Sequence, residues 1–216
     1  MFGINYKKYS RESIKCMAKI ELEVGRVHEC AGRASHIFAL ILATYLKGPI
    51  LWISSTNTIA KINPTGIQNF LDPGRFVFVN TINQKESLWS MEESLRSGSV
   101  PLVVSELQSY PSFTSVRRLN LAAEAGTDSS KSCIVGLILT PNQGGCQGVE
   151  TRWLIQPKAK ENRPSWILSR TRGRSLPPAN WEITQASKNI FNAKIIKNLA
   201  PPKSRKDKIP VKSIKK

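Results

Sequence analysis

The sequence predicts an α/β protein in which a mostly parallel β-sheet carries helices on both faces. As far as residue 140, short apolar runs alternate with segments of helical spacing, a pattern typical of strands joined by crossover helices. After residue 140 the apolar period becomes two, at residues 148–156 and 165–172, which predicts an antiparallel extension of the sheet. The 216 residues suffice for one such domain with a sizeable core.

The first unit of the predicted sheet is a strand, a turn, a helix and a second strand. Residues 27–30 form a short extended run, and Gly32 lies in a tight turn. Residues 34–46 carry apolar side chains at helical spacing, and Gly48 with the Pro after it ends the helix. Residues 50–53 are continuously apolar, as expected for a strand buried on both faces. This order predicts a βαβ crossover.

The later elements continue the alternation and then end in the antiparallel extension. We expect the strand at residues 76–79 to be buried, and a short helix within residues 14–22 to pack on the core. We also expect Trp52 and the tryptophans of the extension to be core residues. The other predicted elements are a helix that begins at Asn63, helices at residues 83–98 and 113–125, and strands at residues 100–104, 133–139 and 181–183.

The charge is strongly basic and unevenly distributed. The chain has a net charge of +17, and residues 185–216 hold ten Lys or Arg and one Asp. Such a balance favours polyanions: nucleic acid, an acidic protein face or an anionic membrane. The last 32 residues have too little apolar surface to fold alone. We therefore predict an N-terminal basic segment at 1–24, a domain at 25–184 and a flexible, disordered basic tail at 185–216, with a short helix within 186–199 as an alternative.

Cysteine spacing and hydropathy indicate a cytoplasmic protein. The four cysteines form no CxxC pair, so we expect reduced thiols and no metal site. No secretory signal is visible, and the longest mostly apolar run, residues 37–46, is well short of the roughly 20 residues that span a bilayer.

The turn after the first strand occupies the place of a phosphate-binding loop but lacks its chemistry. That loop needs the pattern G-x-x-x-x-G-K-[ST]. Counting from Gly32, the places of the second Gly, the Lys and the hydroxyl are taken by Ile37, Phe38 and Ala39. The residues left in the degenerate nucleotide loop are Gly32, Arg33 and Ser35. We therefore expect no bound cofactor.

Four segments in order resemble the frame of RecA-type ATPases with the reactive residues changed. These are GRVHECAG at residues 25–32, Ser54-Ser55-Thr56 where that family places the acid that activates water, Ser105 with Glu106 after it where the family places its Mg²⁺-holding Asp, and Gly144-Gly145 after a shortened loop. The resemblance implies a degenerate RecA-like domain. Losing the Lys, the water-activating acid and the metal ligand removes what phosphoryl transfer needs, so we expect no catalytic residue and no enzyme activity.

A narrower resemblance covers residues 25–183. The blocks GPILWI, LDPGRFVFV, LWSMEESLRSGSVPLVV, VRRLNLAAEAG and QGVETRWLI are similar in order and spacing to the alphaproteobacterial ImuA family. This resemblance implies a protein of the DNA-damage-inducible (SOS) mutagenesis cassette. It implies DNA repair by translesion synthesis, beside a polymerase-like ImuB-type subunit and an error-prone replicative-type polymerase, without chemistry of its own.

Basic residues are the candidate contacts with nucleic acid or a partner. Arg117 and Arg118 are expected near the carboxyl ends of the strands, where ligands bind in such folds. The densest cluster of the tail is Lys203, Arg205, Lys206 and Lys208.

Two further interpretations stay open, and the histidines point to neither. One is a sequence-independent, DNA-binding recombinase-like protein; a weaker one is a cell-division inhibitor of the SulA type. His28 and His36 have no evident partner, so we expect structural roles for both.

Overall fold

A computed structural model describes residues 12–56, 62–158 and 163–196 of the chain. The helices in these ranges are α1 (Ser35–Thr44), α2 (Pro64–Ile67), α3 (Gln84–Ser97) and α4 (Phe113–Ser130). The strands are β1 (Ser13–Lys15), β2 (Glu21–Glu23), β3 (Arg26–Ala31), β4 (Ile50–Ser55), β5 (Phe76–Thr81), β6 (Leu102–Glu106), β7 (Val135–Thr140), β8 (Thr151–Lys158), β9 (Ser165–Gly173), β10 (Ala179–Ser187) and β11 (Ile190–Ile196).

Nine of these strands form one sheet in the order β11-β10-β9-β8-β3-β7-β6-β4-β5. The strands from β8 through β3 to β5 pair in parallel, whereas β9, β10 and β11 add on antiparallel. The predicted mostly parallel sheet with a C-terminal antiparallel extension is therefore confirmed. Strand β3 lies between β7 and β8, so the turn that follows it meets neighbours on both sides.

The core has two layers, one on each face of the sheet. Phe38 and Ile41 of α1 pack with the tryptophans on one face, and Met91 of α3 packs with Val116 of α4 on the other. Because successive side chains of a strand point to opposite faces, each central strand contributes to both layers. The predicted core positions of the four tryptophans are confirmed, since all are buried: Trp52, Trp153, Trp166 and Trp181.

Local capping chemistry accounts for the ends of α3 and α4. The Asn83 side chain accepts a hydrogen bond from the Glu86 N–H at 3.0 Å, and Gly98 ends α3 in the left-handed conformation at φ 65°. The Ser112 hydroxyl accepts one from the Ser115 N–H at 3.1 Å at the start of α4. The predicted helix at residues 83–98 is confirmed, whereas α4 extends five residues beyond its predicted end, to Ser130.

Strand β5 corrects the expectation of a buried strand. It forms the edge of the sheet, and Val77 and Phe78 remain 50% and 46% exposed. The apolar run predicted the strand correctly. A run of this kind does not reveal whether a second neighbour covers it, and an edge strand has neighbours on one side only.

The segment before β3 is a small hairpin and not the expected helix. Strand β1 pairs antiparallel with β2, with Ser13 opposite Glu23. Ala18 and Lys19 turn the chain between them at positive φ. The carbonyl of Ala18 accepts a hydrogen bond from Trp181 Nε1 at 2.9 Å, which ties the hairpin to the extension. This long-range contact explains why helical spacing alone was misleading.

The predicted start of the tail at residue 185 is wrong for residues 185–196. Strand β10 continues to Ser187, and β11 pairs with it, so the helix alternative is also wrong there. Phe191 is buried and stacks on Phe70, with 5.5 Å between ring centroids. The alternation of polar and apolar residues is that of a strand with one buried face. Residues 197–216, with the cluster from Lys203 to Lys208, lie outside the described residues.

Candidate functional site

The turn after β3 is closed by strand β8. Gly32 has a φ of +99°, and a Cβ there would lie 2.2 Å from the carbonyl oxygen of Ile155. The Ala34 N–H donates to that same carbonyl at 3.4 Å, and the Ser35 N–H donates to the Gly32 carbonyl at 3.1 Å. A phosphate-binding turn needs its N–H groups directed at the ligand. Here these two N–H groups are engaged within the chain.

Ser105 does not lie beside the degenerate nucleotide loop of Gly32, Arg33 and Ser35. Arg33 is exposed and Ser35 is buried at the start of α1. Ser105 of β6 pairs with Ile138 of β7, which pairs with Glu29. Ser105 is therefore two strands from β3, a separation of about 10 Å, and it is level with Glu29 instead of the turn. Its buried hydroxyl makes no hydrogen bond with the described residues.

Glu106 lies on the opposite face of the sheet from Ser105, because successive residues of a strand alternate. It accepts a hydrogen bond from Trp52 Nε1 at 2.5 Å. His36 Nε2 lies 3.3 Å from its other carboxylate oxygen, and the His36 ring stacks on Trp52 with 5.8 Å between centroids. His36, for which the sequence shows no evident partner, thus contacts both Glu106 and Trp52. The only hint in the sequence was a carboxylate at the end of an apolar strand.

Glu29, from the GRVHECAG segment, connects β3 to the Gly144-Gly145 segment and β8. Its carboxylate accepts hydrogen bonds from the Gly145 N–H at 2.7 Å and from Arg152 Nε at 2.5 Å. The Cys146 N–H and the Thr140 hydroxyl donate to it as well. Burial acts to raise the pKa of Glu29, but these hydrogen bonds outweigh it and the pKa lies below its usual value. The GRVHECAG and Gly144-Gly145 segments thus meet in space, in a network of hydrogen bonds within the chain.

His28 has the structural role expected of it. It is completely buried. Its Nε2 lies 3.0 Å from the Glu23 carbonyl and its Nδ1 lies 2.7 Å from the Thr151 hydroxyl. Trp153 Nε1 donates to the same hydroxyl at 2.6 Å. A proton on Nε2 of the neutral ring satisfies all of these contacts, since Thr151 then donates to Nδ1 and accepts from Trp153.

Arg117 and Arg118 lie in α4, whose first turn follows the carboxyl end of β6. Both are exposed. Arg118 pairs with the buried carboxylate of Glu92 on α3 at 3.0 Å, and Arg96 pairs with the same carboxylate at 2.8 Å. Glu92 therefore links the two helices, and Arg118 has a structural contact in addition to its exposed surface.

Two cavities lie among the described residues, one on each face of the sheet. One, of about 560 Å³, lies between the N-terminal halves of α3 and α4 and is defined below as the α3–α4 groove. The other, of about 480 Å³, lies on the α1 face beside His36, Phe70 and Trp166. Residues 57–61 and 159–162, next to this second cavity in the sequence, lie outside the described residues.

The cysteines and acidic residues of the described ranges form no metal centre. Within residues 12–56, 62–158 and 163–196, no group of three or more His, Cys, Asp or Glu is arranged to hold an ion. All four cysteines are free. Burial raises the pKa of Cys16 to about 12 and also raises that of Cys30, so these thiols stay protonated and unreactive at neutral pH.

None of the helices in the described ranges has the length and apolar character to cross a membrane. Comparison of the sequence with models of known protein families found no match, and comparison with curated proteins found none either.

Proposed function

We propose that this chain is a non-catalytic, RecA-like accessory protein of DNA-damage-induced mutagenesis. It acts in the cytoplasm as an adaptor in translesion synthesis, beside a polymerase-like ImuB-type subunit and an error-prone replicative-type polymerase. The ordered sequence blocks within residues 25–183 support the family, by analogy rather than by chemistry.

The geometry of the turn after β3 supports the proposal that the chain has no catalytic activity. Nucleotide hydrolysis requires the phosphates to be held and their charge neutralised. The Lys and the metal-binding hydroxyl are replaced by apolar residues, and Ile155 occupies the space where a Gly32 side chain would project. A protein with this geometry contributes to synthesis by binding other proteins or DNA.

A second candidate function is sequence-independent DNA binding by the chain itself. The net charge of +17 favours it, because Lys and Arg that neutralise phosphates release counterions. Arg117, Arg118 and the cluster from Lys203 to Lys208 are the residues that would serve this function. The two functions differ in which molecule the full chain binds.

Affinity purification of the tagged full chain from its native cells after DNA damage tests the adaptor function. We expect the polymerase-like subunit and the error-prone polymerase to co-purify, and to be retained after nuclease treatment, because the contact is between proteins. Undamaged cells provide the matched control. Recovery of neither protein would contradict the adaptor function, and recovery only before nuclease treatment would favour the DNA-binding candidate.

A further inference from the structure

The α3–α4 groove is lined by apolar and cationic side chains, most of which are at least partly exposed. Leu88, Trp89, Tyr110 and Pro111 supply the apolar walls, and Lys85 and Arg118 supply the cations. All of these residues lie within residues 62–158, a continuously described part of the chain. Its volume of about 560 Å³ matches that of pockets that accept a few side chains.

We propose that the α3–α4 groove binds an acidic segment of a protein partner, in which an aromatic or large aliphatic side chain is flanked by carboxylates. The inference deepens the adaptor function and rests on it for the identity of the partner. The chemistry of the segment follows from the groove alone.

Three aromatic side chains of this region are exposed. Trp89 is 62% exposed, Tyr110 is 43% exposed, and Phe113 beside the groove is 54% exposed. Soluble proteins rarely leave such residues clustered on the surface without a partner, and Trp and Tyr are enriched among the residues that dominate binding energy.

The Tyr110 wall of the groove is held in place before any partner binds. The Tyr110 ring packs so closely on Gly145 that a Cβ there would lie 3.0 Å from the ring, and its hydroxyl donates to the Pro141 carbonyl at 3.3 Å. The Gln84 side chain accepts from the Ser109 N–H and hydroxyl, which ties the start of α3 to the segment before α4. Such preorganisation lowers the entropy cost of binding.

The charge of the groove selects carboxylates. Glu92 is the single acid that lines it, and two arginines neutralise it. Lys85 is exposed, and the N-terminal end of α4, whose first turn holds no acidic residue, adds partial positive charge. The overall charge of +17 attracts an acidic partner over long range and disfavours a second copy of this chain.

The same charges favour a protein segment over nucleic acid. Two cationic side chains line the groove, and Arg118 is already paired with Glu92. Strong binding to single-stranded DNA needs a series of phosphate contacts along a track. A short segment with one apolar side chain and a few carboxylates fits this groove better.

Selection of displayed random short peptides on the full chain tests the proposal. We expect the selected peptides to be enriched in Asp and Glu around one aromatic or large aliphatic residue. Trp89→Ala should weaken their binding by roughly tenfold or more, as expected for a central aromatic anchor. Lys85→Glu should weaken it as well, through loss of charge complementarity.

Matched variants separate the groove from the general surface. Leu121→Ala truncates an exposed apolar residue of α4 that does not line the groove and is 54% exposed. Lys47→Glu makes the same charge change as Lys85→Glu at an exposed site outside the groove. Both should bind the selected peptides as the unchanged chain does. Equal binding by Trp89→Ala would overturn the proposal, as would selected peptides without carboxylates or no selected peptides at all.

Failure of the groove and failure of the adaptor function would give different experimental results. If the selected acidic peptides bind through Trp89 but no polymerase subunit co-purifies, the groove stands and the adaptor function fails. If the subunits co-purify equally with Trp89→Ala and no peptide depends on Trp89, the adaptor function stands and the groove fails. An oligothymidylate that binds in a Trp89-dependent manner, where peptides do not, would replace the proposal with a nucleic-acid site.

Discussion

His28 is a buried titratable residue whose environment favours the neutral ring. Burial lowers the pKa of His28 from 6.5 to about 4; the hydrogen bond with the Glu23 carbonyl opposes this effect, and the charge of Arg26 adds to it. In the unfolded chain the ring returns to its ordinary pKa. The folded and unfolded chains therefore bind different numbers of protons between these two values, and stability depends on pH in that range.

We predict that the free energy of unfolding falls as the pH falls from 6.5 towards 4. In this window the unfolded chain takes up a proton at His28 and the folded chain does not. The contribution of the neutral His28 ring to the free energy of unfolding is therefore complete above pH 6.5 and lost near pH 4. The full effect is on the order of 3 kcal/mol. Denaturant titrations between pH 7 and pH 5 measure this slope for the unchanged chain, and His28→Gln should flatten it. A slope unchanged by His28→Gln would contradict the prediction.

Sequence reasoning succeeded for residues whose role depends on local chemistry and failed where distant segments meet. The structural role of His28 was predictable because a histidine with no evident catalytic or metal-binding partner in the sequence is usually satisfied internally. The contact between His36 and Glu106 joins residues seventy positions apart, and nothing local announces it. Likewise, Glu29 was recognised as part of a pattern, but its four hydrogen-bonding neighbours follow only from the order of the strands.

At the scale of elements, α3 and α4 touch through glycines. A Cβ on Gly126, inside α4, would lie 1.9 Å from the Leu95 carbonyl oxygen, and one on Gly98 would lie 2.5 Å from the Gly126 carbonyl oxygen. The backbones of the two helices therefore approach more closely at this point than side chains allow. This close approach supports the α3–α4 groove at the other end of the helix pair.

We predict that Gly126→Ala destabilises the protein although Ala favours helices. The new methyl group would overlap the Leu95 carbonyl, and overpacking of this kind costs about 1–3 kcal/mol. Gly66→Ala in α2 is the matched control, since nothing lies within 4 Å of its added Cβ; it should be neutral or stabilising by up to about 1 kcal/mol. Chemical denaturation of both variants checks this, and a Gly126→Ala variant as stable as Gly66→Ala would rule out the close contact.

Elements with local start and stop signals were predicted well, and elements defined by their neighbours were not. The caps of α3 are encoded in Asn83 and Gly98 themselves. The exposure of β5 and the order in β11 depend on which strand lies beside them, which the sequence of either segment does not contain. The βαβ alternation nevertheless predicted the sheet, because parallel strands need crossovers.

In the molecule as a whole, the folded part extends to Ile196, so a truncation that removes only the basic tail has to keep β10 and β11. Removing everything after Ile183 would cut β10 and delete β11. A truncation that ends at Ile196 keeps the described strands and removes eight Lys or Arg and one Asp.

We predict that truncation after Ile196 weakens DNA binding and reduces its salt dependence. Removing one basic side chain that neutralises a phosphate lowers the slope of log K against log salt concentration by roughly one. Fluorescence anisotropy with single-stranded DNA over a range of salt concentrations measures both quantities, and neutralising Lys203, Arg205, Lys206 and Lys208 refines the location. Unchanged affinity and slope would contradict a DNA-binding role of the tail. Loss of partner binding instead would indicate that the tail docks to an acidic protein face.

The turn that follows β3 is closed by β8, so we predict that the chain works without a bound nucleotide. Calorimetric titration of the full chain with Mg²⁺–ATP measures nucleotide binding, and turnover measured on the same sample reports hydrolysis. We expect no binding isotherm and no hydrolysis above background, because the N–H groups of Ala34 and Ser35 already donate to the Ile155 and Gly32 carbonyls. Stoichiometric binding, or turnover that follows the protein through purification and disappears in Arg33→Ala, would contradict it.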